Sequence, residues 1–468
     1  MENDMHLAAC PPLRLKQLTV ALAALAAVAS TAVPPARALN IEVARYTLGN
    51  GMQLVVIPDR RAPVVTQMVW YKVGAADEPQ GKAGIAHFLE HLMFKGTEEV
   101  PAGEFSRIVR RHGGEDNAFT SQDFTAFYQR IAKDRLDLVM GLEADRMHNL
   151  KLTDDAVLPE REVIKEERRQ RTDNDPANRL GEQLDAALYL AHPYGKPVIG
   201  WMSEMAQLNR DDAVAFYRQH YTPANAVLII AGDVNPNEVK ALAEKHFGVL
   251  SNTAPPQPRA RTSEPEPVAS RRVTLADPRV ATPLVQRSYL APSYHTAKPG
   301  EAEALEVLAE VLGGNATSRL YRSLVVNQQV AAQAGANYSG ENLDSGSFVI
   351  YATPVPGGSN DAAESALDAE LNRLARDGTT EEEVARAKNR LLADTVYSLD
   401  SQFRLAYLFG SALTSGRTVE DVLGWDERVR KVTKEDVDKV ARAVLQLNRS
   451  VTGILVKSPG GPDAKVAN

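Results

Sequence analysis

Cysteine is nearly absent from this sequence. Of its 468 residues only Cys10 carries a thiol, so whatever folds downstream has no disulfide to rely on. An excess of positive charge is absent too. The formal net charge is −7, which argues against nucleic acid as the main partner. Beyond the first forty residues there is no apolar run long enough to span a membrane. What remains is an acidic, disulfide-free chain, long enough for two substantial domains with a core each.

The N-terminal stretch stands apart. Arg14 and Lys16 precede an apolar run from Leu18 to Ala29, and Ala36-Arg37-Ala38 is a small-x-small site. The run is too short and too alanine-rich for a membrane helix. The pattern reads as a secretory signal peptide over residues 1–38, cut after Ala38, with an uncleaved N-terminal anchor as the alternative. Cys10 lies before the apolar run, where it is misplaced for a lipid anchor, and it leaves with the signal.

The chemistry concentrates in Gly84-Ile85-Ala86-His87-Phe88-Leu89-Glu90-His91-Leu92-Met93-Phe94. On a helix, His87 and His91 sit one turn apart and point the same way, with Glu90 at the edge of that face. Two imidazoles so placed can hold one zinc ion, and a neighbouring carboxylate can take a proton from water activated there. The order His-x-x-Glu-His inverts the commoner zinc motif. The plainer reading is an amphipathic helix with two incidental histidines, and a metal needs a third ligand. A second helical stretch, Glu160-Arg161-Glu162-Val163-Ile164-Lys165-Glu166-Glu167, offers Glu160 and Glu167 seven apart on one face, although such a charged run is usually a solvated surface.

These two stretches together resemble the pitrilysin (insulinase) family of zinc peptidases, in particular its short bacterial members and the mitochondrial processing peptidase. The likeness extends to Gly114-x-x-Asn117-Ala118-x-Thr120, His192-Pro193-Tyr194-x-x-Pro197-x-x-Gly200, Tyr221-x-Pro223-x-Asn225 and Gly232-Asp233-Val234. The resemblance implies one zinc ion per chain held by His87, His91 and Glu167. Glu90 would be the general base, with Glu160 a supporting carboxylate of the catalytic set. Asn117-Ala118-Phe119-Thr120 would form a sheet edge that binds substrate as an added strand, with Asn117, Ala118 and Thr120 as substrate contacts, and Phe94 would line the pocket just past the scissile bond. Asn117 also reads as a turn residue after Gly113-Gly114, and Phe94 as a core aromatic. With the signal peptide, the likeness implies a periplasmic enzyme.

The expected fold class is α+β, with two homologous domains of a sheet plus helices forming half of a clamshell chamber. Residues 39–251 would be the zinc-binding domain, with helices packed on one face of the sheet. Residues 252–270, with Pro255, Pro256, Pro258, Pro265 and Pro267, read as an extended linker. Residues 271–468 read as a degenerate second copy. There a helix from Glu301 to Leu312 stands where the zinc helix stood and contains no histidine.

The second copy departs from the family pattern. Active members carry an arginine and a tyrosine, seven residues apart, after a Ser-Arg-Leu-Tyr/Phe run, and these help hold the substrate and its oxyanion. Here Ser318-Arg319-Leu320-Tyr321 is followed by Val325 and Ala332 at those positions, with Arg319, Arg322 and Tyr338 out of register. An oxyanion donor is worth about 3 kcal/mol. The chain therefore reads as the zinc-bearing subunit of a heterodimer whose homologous partner supplies the pair. Alternatives are a self-sufficient homodimer and a non-catalytic scaffold of the same fold. The positions that would select arginine near the cut read Ala177 and Gly181, so small or unstructured peptides are the expected substrates.

Overall fold

The computed structural model describes residues 41–458, which form one compact body. The expected signal peptide and Cys10 lie outside the described residues, as does the tail beyond Ser458.

Two sheets organise the chain. The first has six strands: β1 (Ala44–Thr47), β2 (Gln53–Pro58), β3 (Val64–Tyr71), β4 (Glu115–Thr120), β5 (Thr125–Ala132) and β6 (Ala226–Gly232), in the spatial order β1-β2-β6-β3-β5-β4. The Asn50-Gly51 turn joins β1 to β2 as an antiparallel hairpin, and Gly51 takes the positive φ of 91° that such a turn demands. Strand β6 is buried along its whole length between β2 and β3. That burial is why it reads as an unbroken apolar run. Strand β4 is an edge.

The second sheet has five strands: β7 (Arg271–Asp277), β8 (Leu284–Ala291), β9 (Ala331–Ser339), β10 (Gly346–Pro354) and β11 (Ser450–Lys457), ordered β7-β11-β8-β10-β9. Strands β7 and β9 add to those expected from the sequence. The intermediate-exposed alternation of the first and the alanine and glycine content of the second give a weak strand signal.

The front face of the first sheet carries α1 (Ile85–Leu92), α2 (Glu104–Arg111), α3 (Leu136–Asn149), α4 (Asp154–Arg168), and, after a gap filled by α5 (Pro176–Leu188), α6 (Arg210–His220) and α7 (Pro236–His246). The front face of the second sheet carries α8 (Glu301–Gly313), α9 (Asn360–Asp377), α10 (Glu381–Ser398) and α12 (Lys434–Val444), with α11 (Gln402–Thr414) preceding the last.

The expectation of helices on one face only is corrected here: α5 and α11 cross over. Helix α11, from the second half, lays Leu405, Ala406, Phe409 and Ala412 on the back of the first sheet against Val55, Met68, Trp70 and Ile229. Helix α5, from the first half, lays Leu180, Leu184 and Leu188 against Val451 and Leu455 on the back of the second. Two glycines permit the contacts. A Cβ on Gly410 would stand 2.0 Å from the Trp70 ring, and one on Gly453 would stand 2.6 Å from Leu184. Both sheets have apolar residues on both faces, so each needs a second cover, and the duplicated halves supply it to one another.

The proline-rich segment is extended but firmly held. Arg259 donates to the carbonyls of Lys72 (3.1 Å), Asp123 (2.7 Å) and Thr414 (3.2 Å). Arg261 pairs with Asp77 (2.9 Å), Asp123 (2.5 Å) and Asp344 (2.9 Å). Both arginines thus bridge the first half to the second.

Candidate active site

Helix α1 is buried nearly all round, including His87 and Glu90 at 7% and 8% exposure. Burying two ionisable groups side by side is costly unless they are partnered or used. The helix starts at Gly84, whose φ of 93° suits glycine. A Cβ there would stand 2.7 Å from the Ile199 carbonyl, and one on Gly200 would stand 2.5 Å from the Ala83 carbonyl. The two glycines let the loop after His192-Pro193-Tyr194 press on the N-terminus of α1. The Glu78 carboxylate accepts from the Gly84 and Ala86 N–H groups, each at 3.0 Å, complementing the helix dipole. Burial nonetheless pushes its pKa up to about 8.

Helix α4 runs against α1 and brings Glu167 to both histidines. Its Oε2 lies 3.6 Å from His87 Nε2 and 3.3 Å from His91 Nε2. One ligand atom from each of His87, His91 and Glu167 falls within 4.8 Å of the others, the one such group found among the described residues. Glu167 Oε2 is buried with no hydrogen-bond partner. A buried carboxylate oxygen facing two imidazole nitrogens, with no donor of its own, fits a cation, and two nitrogens and one oxygen are a ligand set zinc accepts.

Glu160 stands behind the metal group. Its Oε1 lies 2.9 Å from His91 Nδ1, and its other oxygen pairs with Lys95. That contact orients the imidazole and fixes which nitrogen faces the metal position. Burial works against the Glu160 charge, but His91 and Lys95 overcome it and hold the pKa below the usual carboxylate range. His87 Nδ1 has no such acceptor among the described residues. Burial, and then the neighbouring His91, push the His87 pKa down to about 4. Burial opposes charging of His91 as well, but Glu160 and Glu167 carry it up to about 9.

Glu90 projects from α1 beside this group, and Thr120 Oγ1 of β4 donates to its Oε2 at 2.5 Å. Burial raises the Glu90 pKa against that hydrogen bond, which brings a carboxylate closer to the range of a base working near neutrality. Asn117, Ala118 and Thr120 line the cleft of about 870 Å³ in front of His87, Glu90 and His91. Phe119 of the same strand borders it too, and Val163, Glu166, Gln170, Arg171, Thr172, Val198 and Ile199 form the rest of its walls. Val198 and Ile199 fall inside the His192–Gly200 motif, which was the available signal for them. Arg171, in the π-helical turn Arg169–Asp173 that ends α4, pairs with Glu167 Oε1 at 2.7 Å.

Phe94 is not on the cleft wall. Its ring packs against Phe127 at 6.1 Å and under the buried Arg146 guanidinium at 5.0 Å. Arg146 is also 4.3 Å from the Phe105 ring and 4.5 Å from that of Phe127. A buried guanidinium held on three aromatic faces packs the half-buried Phe94 against the core.

In the second half, Arg319 is tied to Glu383 and to the Gly378 carbonyl at 2.8 Å, and Tyr338 donates to the Pro292 carbonyl at 2.5 Å. Neither is free to replace the missing arginine and tyrosine.

Comparison with known families decides the affiliation. The model for "Insulinase (Peptidase family M16)" matches residues 54–201, and that for "Peptidase M16 inactive domain" matches residues 207–391. The chain belongs to peptidase family M16. Among M16 relatives, zinc protease PqqE of Helicobacter pylori is 33% identical over 413 residues, 87% of this chain and 91% of that one. The crystal structure of a protease from Helicobacter pylori superposes with a TM-score of 0.83 at 32% identity, over 89% of this chain and all (100%) of the other. The periplasmic protease PqqL of Escherichia coli gives a TM-score of 0.75 at 19% identity, a likeness of fold, and matches 90% of this chain but 48% of its own. The M16 affiliation agrees with the duplicated α+β architecture, and the inactive-domain model runs from the last elements of the first half into the second.

Proposed function

We propose that this chain is a zinc-dependent endopeptidase acting on peptides or unstructured protein segments, and that it is the zinc-bearing subunit of a pair. The observation that carries the reading is the placing of Glu90 between the His87–His91–Glu167 group and Thr120 of the edge strand. A zinc ion held by those three residues would supply Lewis acidity to a substrate carbonyl and to water.

The chain's own groups then have defined tasks. Strand β4 offers an unpaired edge. Its hairpin closes with the Ser121 N–H donating to the Phe124 carbonyl at 2.8 Å. By antiparallel alternation, the groups pointing outward are those of Asp116, Ala118 and Thr120. An extended peptide pairs with them irrespective of its sequence. In the free chain the Ala118 N–H donates to Asn117 Oδ1 at 2.9 Å, so Asn117 must turn aside as substrate docks. Glu90 takes a proton from water and passes it to the leaving amine, with Thr120 fixing its carboxylate. Glu160 holds His91 in register.

Val325 and Ala332 at the expected arginine and tyrosine positions, and the engagement of Arg319 and Tyr338 elsewhere, support a homologous partner that completes the oxyanion site. PqqL, twice the length of this match, supports the same division between two halves. The signal-like residues 1–38 support a periplasmic location.

The test is hydrolysis of quenched fluorescent peptides by the zinc-loaded chain, alone and with a homologue carrying the Arg/Tyr pair. Glu90→Gln should abolish turnover in either setting while leaving zinc bound. Full turnover by the lone chain, unchanged by the partner, would overturn the paired reading and favour a self-sufficient homodimer. Turnover unaffected by Glu90→Gln would overturn the peptidase mechanism itself.

A further inference from the structure

The two faces of β4 lead to different surroundings. Asp116, Ala118 and Thr120 turn to the front. Asp116 accepts from Ser106 of α2 at 2.5 Å, and Thr120 reaches Glu90. Phe119 borders the cleft, but its ring turns to the back. There its ring meets Trp70 at 5.3 Å, Tyr128 at 6.4 Å and Tyr407 at 5.6 Å. Phe403 joins this group through Tyr128 at 4.8 Å and stacks on Tyr407 at 6.5 Å with an interplanar angle of 23°. Phe403 and Tyr407 belong to α11, the helix lent by the second half. Trp70 is fully buried beneath them, whereas Tyr407 is 36% exposed and Phe119, Tyr128 and Phe403 are half-buried.

An aromatic shelf therefore continues the back of the sheet at its unpaired edge. A core has no need to leave four rings partly open to solvent. A strand added beyond β4 does need something behind it. Its side chains alternate between faces, and those opposite Asn117 and Phe119 fall on the same side as the Phe119 ring, about 5 Å from it.

We propose that this shelf of Phe119, Tyr128, Phe403 and Tyr407 is a specificity surface for the peptide substrate. It receives the side chains that point away from the metal and selects large apolar residues two positions apart. The inference rests on the reading of β4 as the substrate edge and adds to it a preference and a task for the second half. The front face reads the peptide around the scissile bond, and the back face reads every second residue through ring stacking. Selection comes from apolar area and aromatic geometry, so it tolerates many sequences that share the spacing.

The experiment uses two isomeric decapeptides of Ser and Thr, one with Phe residues two positions apart and one with them adjacent. Binding to the zinc-loaded Glu90→Gln chain is followed by calorimetry. The spaced isomer should bind about fivefold more tightly, the worth of one added aromatic contact. Tyr407→Ala, at an exposed helical position, should close that gap, and Tyr407→Phe should keep it. Equal binding of the isomers to the parent, or a gap that survives both Tyr407→Ala and Phe403→Ala, overturns the shelf and leaves the substrate edge standing. No binding of either isomer overturns the substrate edge together with the shelf.

Discussion

Glu306 of α8 shows what the second half did with the place of the metal helix. It is buried and accepts from Trp425 Nε1 at 2.8 Å, beside the Tyr294 hydroxyl, itself 2.9 Å from the same nitrogen. Burial pushes its pKa up to about 7, outweighing those hydrogen bonds. An acid whose folded pKa lies above its unfolded value near 4.5 contributes most below the lower figure. Between pH 4.5 and 7 the unfolded chain has lost the proton and the folded chain still holds it, so stability falls as pH rises through that window. Glu306→Gln keeps the acceptor and removes the titration. Urea denaturation should show the variant gaining on the wild type between pH 5 and pH 8. On the active side, Glu160→Gln should weaken zinc binding by about tenfold to a hundredfold, the usual cost of losing a histidine's outer partner, in a chelator competition. Spacing in the sequence could pair His87 with His91 and offer Glu160 and Glu167 as candidates for a third ligand. It could not show which of Glu160 and Glu167 faces the metal, because both sit on one helix face. Only the placement of α4 against α1 separates them. The packing of Phe94 was hidden for a related reason: its ring meets Arg146, 52 residues on, and no local pattern signals that.

At the scale of elements, α11 is the most exposed to a single change. Gly410 lies against the Trp70 ring with no room for a methyl. Overpacking a closed contact costs about 1–3 kcal/mol. Gly410→Ala should sit at the upper end, because Trp70 is held by Phe119, Phe124 and Tyr407 and cannot swing away. A guanidinium melt of the variant would measure it. The sequence revealed α1, α4, α8 and the buried strand β6 through strong patterns: paired histidines, spaced carboxylates, an apolar run. It concealed α11 and its task. An apolar helix looks alike whether it packs on its own half or the other, since periodicity records that a face is buried and not against what. Strand β7 is hidden by its exposure and its arginines, and β9 by alanines and a glycine that carry little strand signal.

At the scale of the whole molecule, the two halves are held by more than the segment that joins them. Each has surrendered one helix to the other, and Arg259 and Arg261 bind acidic groups and carbonyls of both. Cutting the backbone near Val268, which is 87% exposed, should leave two fragments that elute together in gel filtration and separate only in denaturant. Residues 39–251 produced alone should aggregate, since the back of the first sheet would face water without α11.

The crossing of α11 also bears on how damage to this protein would present itself. The floor on which the metal helix rests is backed by a segment more than three hundred residues further along the chain. A lesion at Gly410 or Phe409 would tilt that floor, and its first symptom would be a loosened ligand triad. In a screen for inactive variants, such mutations would cluster with those at His87 and Glu167, and a geneticist mapping them would be drawn to a half of the protein distant in sequence from the candidate ligands.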